Sequence, residues 1–274
     1  MEVKYEINKL IWDDFGRPSG VLLLDKPANI SAHDLVDIVR KKLKTTKVGH
    51  AGALDTVSTG LMLILVGKAT RLSESYMGMD KTYKAQLILG VSTETQDIEG
   101  AVTKSLPTGG LDEEKVKETI KSFKGGYNQF VSPFSSVKVA GRKLRKVLRD
   151  KRYSYKIIND ADRSHRYIEL FNKESGSLVE RLEVPQRFLN LDSVVIDNIS
   201  KVKSDTLPYP SDKVAEGIYT VVGFTIKCSK GTYIRQLAED IGYKLNLPAS
   251  LLGLRRTAID KFDESMVVDL ESIN

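Results

Sequence analysis

The 274-residue sequence has a single cysteine, three histidines and no long apolar run. Cys228 alone excludes an intramolecular disulfide, and His33, His50 and His165 lack the spacing of a zinc site. We therefore expect a reducing compartment and no metal or other cofactor. No stretch approaches the roughly 18 apolar residues of a membrane span, and the N-terminal residues mix charges with single apolar residues, unlike a signal peptide. These absences predict a soluble, cytoplasmic chain without membrane contact.

Positive charge is in modest excess, with 42 Lys and Arg against 36 Asp and Glu and a net charge of +6. This balance favours a polyanionic partner. Between residues 138 and 156 the basic residues face Asp150 as the single acid, with Tyr153 and Tyr155 interleaved. A solvated helix face, the alternative interpretation, normally mixes both signs, so the stretch predicts phosphate contacts. The predicted backbone-binding residues are Lys138, Arg142, Lys143, Arg145, Lys146 and Arg149.

One carboxylate, Asp55, lies in a glycine-rich turn just before the apolar run of residues 61–66. We expect Gly49 and Gly52 to adopt positive φ and to leave room for a ligand, while the apolar run predicts a buried strand that holds the turn rigid. An Asp next to Gly more often closes a turn. The rest of the chain favours a catalytic role for Asp55.

Periodicity predicts both helices and strands, in a chain whose 41% hydrophobic content supports a sizeable core. A capping box at Ser31–Asp34 begins an amphipathic helix, and alternation over residues 81–89 predicts a strand with Tyr83 facing inward. Residues 153–184 predict an inserted hairpin or peripheral subdomain, or else a surface excursion. Further helices are predicted near 68–76, 111–124 and 234–245, and further strands at 194–199 and 218–228.

Six short segments stand out when they are taken in order along the chain. They are residues 20–27 (GVLLLDKP), 49–55 (GHAGALD), 81–83 (KTY), 138–141 (KVAG), 231–235 (GTYIR) and 254–257 (LRRT). Together they resemble the TruB family of tRNA pseudouridine-55 synthases. The resemblance covers the chain from about Ser19 onwards, and it implies an α+β pseudouridine synthase fold with a mixed, largely antiparallel central sheet flanked by helices.

The resemblance also implies the roles of individual residues. Asp55 corresponds to the family's nucleophile, and Tyr83, Tyr233 and Arg235 correspond to its tyrosine and Tyr-Ile-Arg elements. Two further residues, His50 and Leu254, match positions that contact the extruded nucleotide. Two departures are Asn29, where the family usually has Gly, and Arg145, which replaces a tyrosine; Asn tolerates the left-handed backbone that Gly adopts.

The chemistry of uridine isomerisation fits these residues. A carboxylate can form a covalent adduct with the nucleotide or help to remove a sugar proton, and a nearby cation such as Arg235 favours its ionised form. Tyr83 can stack on uracil and offer its hydroxyl for proton transfer, and His50 can hold the RNA loop from which the base is flipped. Taken alone, these three would be a surface arginine, a core tyrosine and a structural histidine. Lys26 and Pro27 are expected to brace the Asp55 turn.

We therefore expect residues 1–274 to form a single catalytic domain with an RNA-gripping insertion at about 125–185 and no C-terminal PUA-type domain. The predicted enzyme is a stand-alone isomerase that acts on the T arm of tRNA at position 55, as a monomer with no obligate protein partner. One alternative is an RNA-guided dyskerin-type synthase, and another is an RNA-binding or folding module without catalysis.

Overall fold

A computed structural model describes residues 5–273; part of the N-terminal segment considered above, residues 1–4, lies outside the described residues. The strands within this range are β1 (Leu10–Trp12), β2 (Pro18–Lys26), β3 (Val48–His50), β4 (Thr59–Val66), β5 (Lys81–Leu89), β6 (Val91–Thr93), β7 (Val102–Ser105), β8 (Gly125–Phe130), β9 (Lys138–Val139), β10 (Arg142–Lys143), β11 (Tyr153–Asn159), β12 (Arg166–Asn172), β13 (Leu178–Glu183), β14 (Gln186–Lys203), β15 (Ile218–Cys228), β16 (Ala249–Ile259) and β17 (Phe262–Asp263).

The α-helices are α1 (Ala32–Lys42), α2 (Ser73–Met77), α3 (Glu113–Lys121), α4 (Leu144–Leu148) and α5 (Ile234–Lys244), and a 3₁₀ helix, Gly67–Leu72, precedes α2. The Ser31 side chain accepts a hydrogen bond from the Asp34 backbone, and the Asp34 side chain accepts one from the Ser31 backbone. This capping box is confirmed as the start of α1. The predicted helix near residues 68–76 is the 3₁₀ helix followed by α2, and the predicted strand at 81–89 is β5.

The central sheet has the order β1-β2-β4-β16-β5-β15-β14-β8, with β3 also paired to β4 and β17 to β16. Strands β4 and β16 run parallel, with Arg255 opposite Thr59 and Arg256 opposite Gly60. The other pairings of this sheet are antiparallel. The predicted mixed, largely antiparallel sheet with flanking helices is therefore confirmed.

The two faces of β2 and β4 are both buried, which explains why these strands read as continuous apolar runs. Leu22 and Leu24 of β2 belong to the main core, which helices α1, α3 and α5 cover. Val21 and Leu23 point to the opposite face and pack in a smaller core with Phe262. The Asp55 turn therefore leads into a strand that is fixed on both faces.

Residues between β8 and β14 form a small body with its own core. Strands β11, β12 and β13 make a three-stranded antiparallel sheet, and Ile168 and Leu170 from this sheet pack against Leu144 and Val147 of α4. The insertion was expected to begin at about residue 125, but residues 125–130 are β8 and pair with β14 in the central sheet. Among residues 5–273, no helix combines the length and the apolar character needed to cross a bilayer.

Candidate active site

Asp55 lies in the loop between β3 and β4, and a buried lysine braces that loop. The Lys26 ammonium, which is fully buried, donates hydrogen bonds to the backbone oxygens of Pro27 (2.9 Å), Ile30 (2.8 Å) and Thr56 (3.1 Å). Burial lowers the pKa of Lys26, and the charge of Asp55 opposes this shift. The expected bracing by Lys26 is therefore present in the structure.

Backbone conformation fixes the same loop at Asn29 and Gly52. Asn29 has φ +66° and donates its backbone N–H to the Thr56 oxygen (2.9 Å), so it fills the left-handed position as expected. Gly52 has φ +104°. The expectation of positive φ at Gly49 is wrong, because Gly49 lies in β3, where it pairs with Leu65 of β4.

The Asp55 carboxylate is held at two points by Arg235, the second residue of α5. Arg235 Nε lies 2.9 Å from Asp55 Oδ2, and Arg235 donates a further hydrogen bond of 3.2 Å to Oδ1. The Arg235 side chain is 8% exposed and that of Asp55 is 41% exposed. The guanidinium therefore orients the carboxylate while leaving much of it open to a ligand.

A second acid, Asp97, contacts the same guanidinium and was missed in the sequence. Its side chain is buried, and its Oδ2 lies 3.6 Å from Arg235 Nε. Arg235 also donates to the Thr95 backbone oxygen (3.0 Å). Burial raises the pKa of Asp97, while the Thr95 hydroxyl and Arg235 act against that rise. The segment carries no periodic pattern, so the polar turn around Thr95 was the only signal for this contact.

Tyr83 on β5 lies between Ile226 of β15 and Arg256 of β16. Its side chain faces the core as predicted, and burial raises the pKa of Tyr83, which keeps the phenol protonated near neutral pH. The buried Arg256, which the sequence offers only as part of the segment 254–257, donates to the backbone oxygens of Leu61 (2.7 Å) and Gly52 (3.0 Å). Arg256 thus ties the loop that carries Asp55 to the strand beside Tyr83.

The remaining predicted contact residues surround this centre. Burial lowers the pKa of His50, the charge of Arg256 lowers it further, and its Nδ1 has no hydrogen-bond partner among the described residues. The backbone of Tyr233 is fixed by the buried Gln129, which accepts from its N–H (2.9 Å) and donates to its oxygen (3.1 Å). Leu254 lies on β16 and packs against the main core.

These side chains line one cleft of about 870 Å³. The predicted site residues that border it are Asp55, Tyr83, Arg235, His50, Tyr233 and Leu254. A cavity of about 940 Å³ lies between the three-stranded sheet and the C-terminal part of α5, and its walls contain none of these six residues. Among residues 5–273, no group of His, Cys, Asp and Glu side chains has the arrangement of a metal site.

The predicted backbone-binding residues are divided among three surfaces. Arg145 borders the cleft, and Arg149 borders the 940 Å³ cavity. The other four, Lys138, Arg142, Lys143 and Lys146, line a separate groove of about 410 Å³. The β9–β10 hairpin and α4 turn the chain between them, so a one-sign stretch of sequence does not become one continuous surface. Arg142 also donates to Glu180 (2.6 Å), an acid outside that stretch.

Comparison with known proteins identifies the family. Residues 40–170 match the family model described as TruB family pseudouridylate synthase (N terminal domain). The chain is 33% identical to the tRNA pseudouridine synthase B of Opitutus terrae, over 93% of the chain and 86% of that protein. It is 35% identical to the tRNA pseudouridine synthase B of Bacillus subtilis, over 92% of the chain and 69% of that protein.

Solved structures agree on the fold. One chain of the crystal structure of a Cbf5–Nop10–Gar1 complex superposes with a TM-score of 0.58 at 21% identity, covering 98% of this chain and 63% of that one. A chain of an H/ACA RNP bound to a substrate RNA containing 2′-deoxyuridine gives a TM-score of 0.56 at 20% identity, covering 98% and 62%. The alignments with these two relatives span more than nine-tenths of the sequence at 33% and 35% identity. The chain therefore belongs to the TruB family of pseudouridine synthases, which are isomerases.

Proposed function

We propose that the protein is a stand-alone tRNA pseudouridine synthase that isomerises the T-loop uridine at position 55, with Asp55 as the nucleophile. The substrate class rests on the relatives, which carry the name tRNA pseudouridine synthase B. The observation that carries the assignment of Asp55 is its two-point contact with Arg235 in an open cleft. A carboxylate that only closed a turn would need neither the paired arginine nor the space in front of it.

The reaction replaces the bond between C1′ and N1 of uridine with a bond between C1′ and C5. The Asp55 carboxylate acts on the sugar, either by adding to the nucleotide or by helping to remove a sugar proton. The freed uracil rotates, C5 bonds to C1′, and the proton on C5 leaves while N1 gains one, so no net oxidation occurs. This exchange of bonds therefore requires no electron carrier.

The other side chains of the cleft position the reactants. Arg235 holds the carboxylate, and Thr95 and Asp97 hold Arg235. Tyr83 offers a flat, protonated phenol on which uracil can stack during rotation, with its hydroxyl available for proton transfer. His50 borders the same cleft, where its ring can contact the nucleotides around the flipped base.

Charge supports an RNA substrate. The cleft is bordered by Lys81, Arg145, Arg187 and Lys230 as well as by Arg235 and Arg256, whereas Asp55 is its only acid among the described residues. Basic grooves of this kind attract the phosphate backbone. We propose that the insertion, with Arg145 at the cleft and four further basic residues in the 410 Å³ groove, grips the T arm.

The test is pseudouridine formation on a tRNA transcript incubated with the purified protein alone. We expect conversion at position 55 without guide RNA or other proteins, and none when that uridine is replaced by cytidine. Asp55→Asn should abolish conversion and leave tRNA affinity within a few-fold, because a nucleophile contributes to the chemical step more than to docking.

Three results would contradict parts of this proposal. Turnover by Asp55→Asn near the wild-type rate would remove Asp55 from its role. Activity that appears only with guide RNA and protein partners would favour the dyskerin-type alternative. Tight tRNA binding without conversion by the wild-type protein would favour an RNA-binding module. Oligomeric state and cytoplasmic location remain predictions that sedimentation and cell fractionation address.

A further inference from the structure

The cleft has an aromatic side chain on its border that the proposed reaction does not use. Phe188 on β14 is 74% exposed, whereas the next residue, Leu189, is buried. Both residues border the cleft that contains Asp55 and Tyr83. A phenylalanine with this exposure leaves most of its apolar surface in water, which is unfavourable unless a ligand covers it.

The Phe188 ring packs on Gly126 of the neighbouring strand β8. In the antiparallel pairing of β8 and β14 it lies opposite Asn128, and its ring covers Gly126, where a Cβ atom would collide with the ring. An aromatic ring over a glycine stabilises a sheet edge, but that role buries only the part of the ring that touches the glycine. The contact also fixes the ring in place and leaves a firm, flat surface towards the cleft.

The surroundings of Phe188 are basic. Arg145, Arg187 and Lys230 border the same cleft, and within residues 5–273 none of them forms a salt bridge or a side-chain hydrogen bond. The acid in the cleft, Asp55, is occupied by Arg235. An exposed aromatic ring among free cations is the arrangement that binds single-stranded nucleic acid, because the cations hold phosphates while the ring stacks on a base.

We propose that Phe188 is a stacking platform for an unpaired base of the RNA next to the target uridine. This inference rests on the proposed function, because it assumes that the RNA enters the cleft with the target base extruded. Stacking on Phe188 would hold one neighbouring base after the local loop structure opens, and it would select RNA with a flexible, unpaired segment at that position. A fully paired strand could not present a base to the ring.

The experiment measures the affinity of a stem-loop RNA that carries the target uridine. We expect Phe188→Ala to weaken binding about 10-fold, the scale of one lost base stack, and Phe188→Trp to retain wild-type affinity. Phe188→Leu keeps an apolar cover on Gly126 but cannot stack in the same way, so it should resemble Phe188→Ala in binding. Phe15→Ala is the matched control, because Phe15 is 81% exposed and does not border the cleft. The affinity of this variant for the stem-loop RNA should stay within two-fold of the wild-type value.

Abasic substitutions in the RNA identify the stacked base. With wild-type protein, removal of one base beside the target should weaken binding about as much as Phe188→Ala does. The same abasic RNA should bind Phe188→Ala with no further loss, since the shared contact is already absent. Full additivity of the two changes at every loop position would overturn the proposal. Wild-type affinity of Phe188→Ala would also overturn it. If Phe188→Leu binds RNA as tightly as the wild-type protein, the role of Phe188 is to cover Gly126, and the proposal is again wrong.

The two proposals fail separately. If the wild-type protein converts uridine but no loop position couples to Phe188, the stacking platform is wrong and the proposed function stands. If the wild-type protein forms no pseudouridine but Phe188 still couples to one base, the platform stands and the catalytic assignment fails.

Discussion

Arg235 contacts Asp55 through two nitrogen atoms, so its geometry contributes as well as its charge. Arg235→Lys keeps the charge but loses the planar, two-point contact. We expect kcat to fall about 100-fold with little change in KM, because displacing Asp55, the proposed nucleophile, slows the chemical step without removing RNA contacts. Single-turnover kinetics on a tRNA transcript measure the effect.

A matched control is Arg17→Lys. Arg17 makes an exposed pair with Asp13 at the same Nε–Oδ2 distance of 2.9 Å, and neither residue borders the cleft. It should leave kcat unchanged. Equal rates for wild type and Arg235→Lys would show that charge alone holds Asp55.

Two glycines on either side of the Asp55 turn predict opposite outcomes. Gly60 has φ +107°, and a Cβ there would collide with the Arg256 backbone oxygen across the parallel pair β4–β16. We expect Gly60→Ala to cost about 2 kcal/mol of unfolding free energy, which lowers Tm by about 6 °C. Gly49→Ala should leave Tm close to wild type, because a Cβ at Gly49 meets no atom within 4 Å. Thermal denaturation of both variants checks this contrast, and equal Tm values would contradict it.

At the scale of elements, a buried polar network attaches the inserted sheet to α5. Arg166, the first residue of β12, donates to Gln236 (2.9 Å), Asn159 (2.8 Å) and Glu239. Gln236 also accepts from Gln96 (2.7 Å). Gln96 neighbours Thr95 and Asp97, the residues that contact Arg235, so one network connects the insertion to the surroundings of the Asp55–Arg235 pair.

Removal of Arg166 should destabilise the fold strongly. Burial alone would raise the pKa of Glu239, but Arg166 and Arg163 hold it below its usual range. Arg166→Ala leaves Glu239 with one arginine and leaves the Gln236 oxygen with one donor, Gln96, instead of two, so we expect a loss of about 3 kcal/mol. Because the pKa of Glu239 is lowered in the folded protein, its ionised form stabilises the fold at neutral pH, and this contribution is lost as the pH falls through the lowered pKa. The difference in unfolding free energy between wild type and Arg166→Ala should therefore shrink at acidic pH.

Arg181→Ala is the control on the same small sheet. Its Nε lies 3.8 Å from Glu169, and its side chain is 51% exposed. Chemical denaturation at neutral pH should show a change below about 1 kcal/mol for this half-exposed residue, whose guanidinium lies over the Tyr167 ring. A loss of equal size in both variants would refute the role of the buried network.

Elements with a clean period were predictable, and those with irregular backbones were not. β5 alternates buried and exposed residues over its first half, which its sequence displays directly. β16 was read only as the family segment 254–257, because register shifts between Leu251 and Gly253 and between Arg256 and Ala258 break its alternation. Within the site, Asp55 and Arg235 were predicted from the family resemblance, whereas Asp97 was not, since Arg235 and Asp97 meet only through the fold.

At the scale of the whole molecule, the distribution of basic residues predicts the salt dependence of RNA binding. Arg145 borders the cleft, whereas Arg142 already forms an ion pair with Glu180. We expect Arg145→Gln to reduce the log-log slope of affinity against salt by about 0.7 to 0.9, the value of one phosphate contact. Arg142→Gln should reduce it less.

Lys115→Gln provides a charge-matched control, since Lys115 is exposed on α3 and borders none of the three surfaces. Binding measured at several salt concentrations separates the three variants. Identical slopes for Arg145→Gln and Lys115→Gln would show that Arg145 is a solvated side chain.

The position of β16 determines when the cleft can first form during synthesis of the chain. β16 lies between β4 and β5, so the half of the sheet that carries the Asp55 loop joins the half that carries Tyr83 only through a strand near the end of the sequence. Arg256, which fastens the Asp55 loop, arrives with that strand. Because long-range pairings form late, a nascent chain that ends before β16 contains Asp55 and Tyr83 but cannot yet join the two halves of the sheet around them. Among the described residues, the cleft is therefore incomplete until synthesis has reached residue 259.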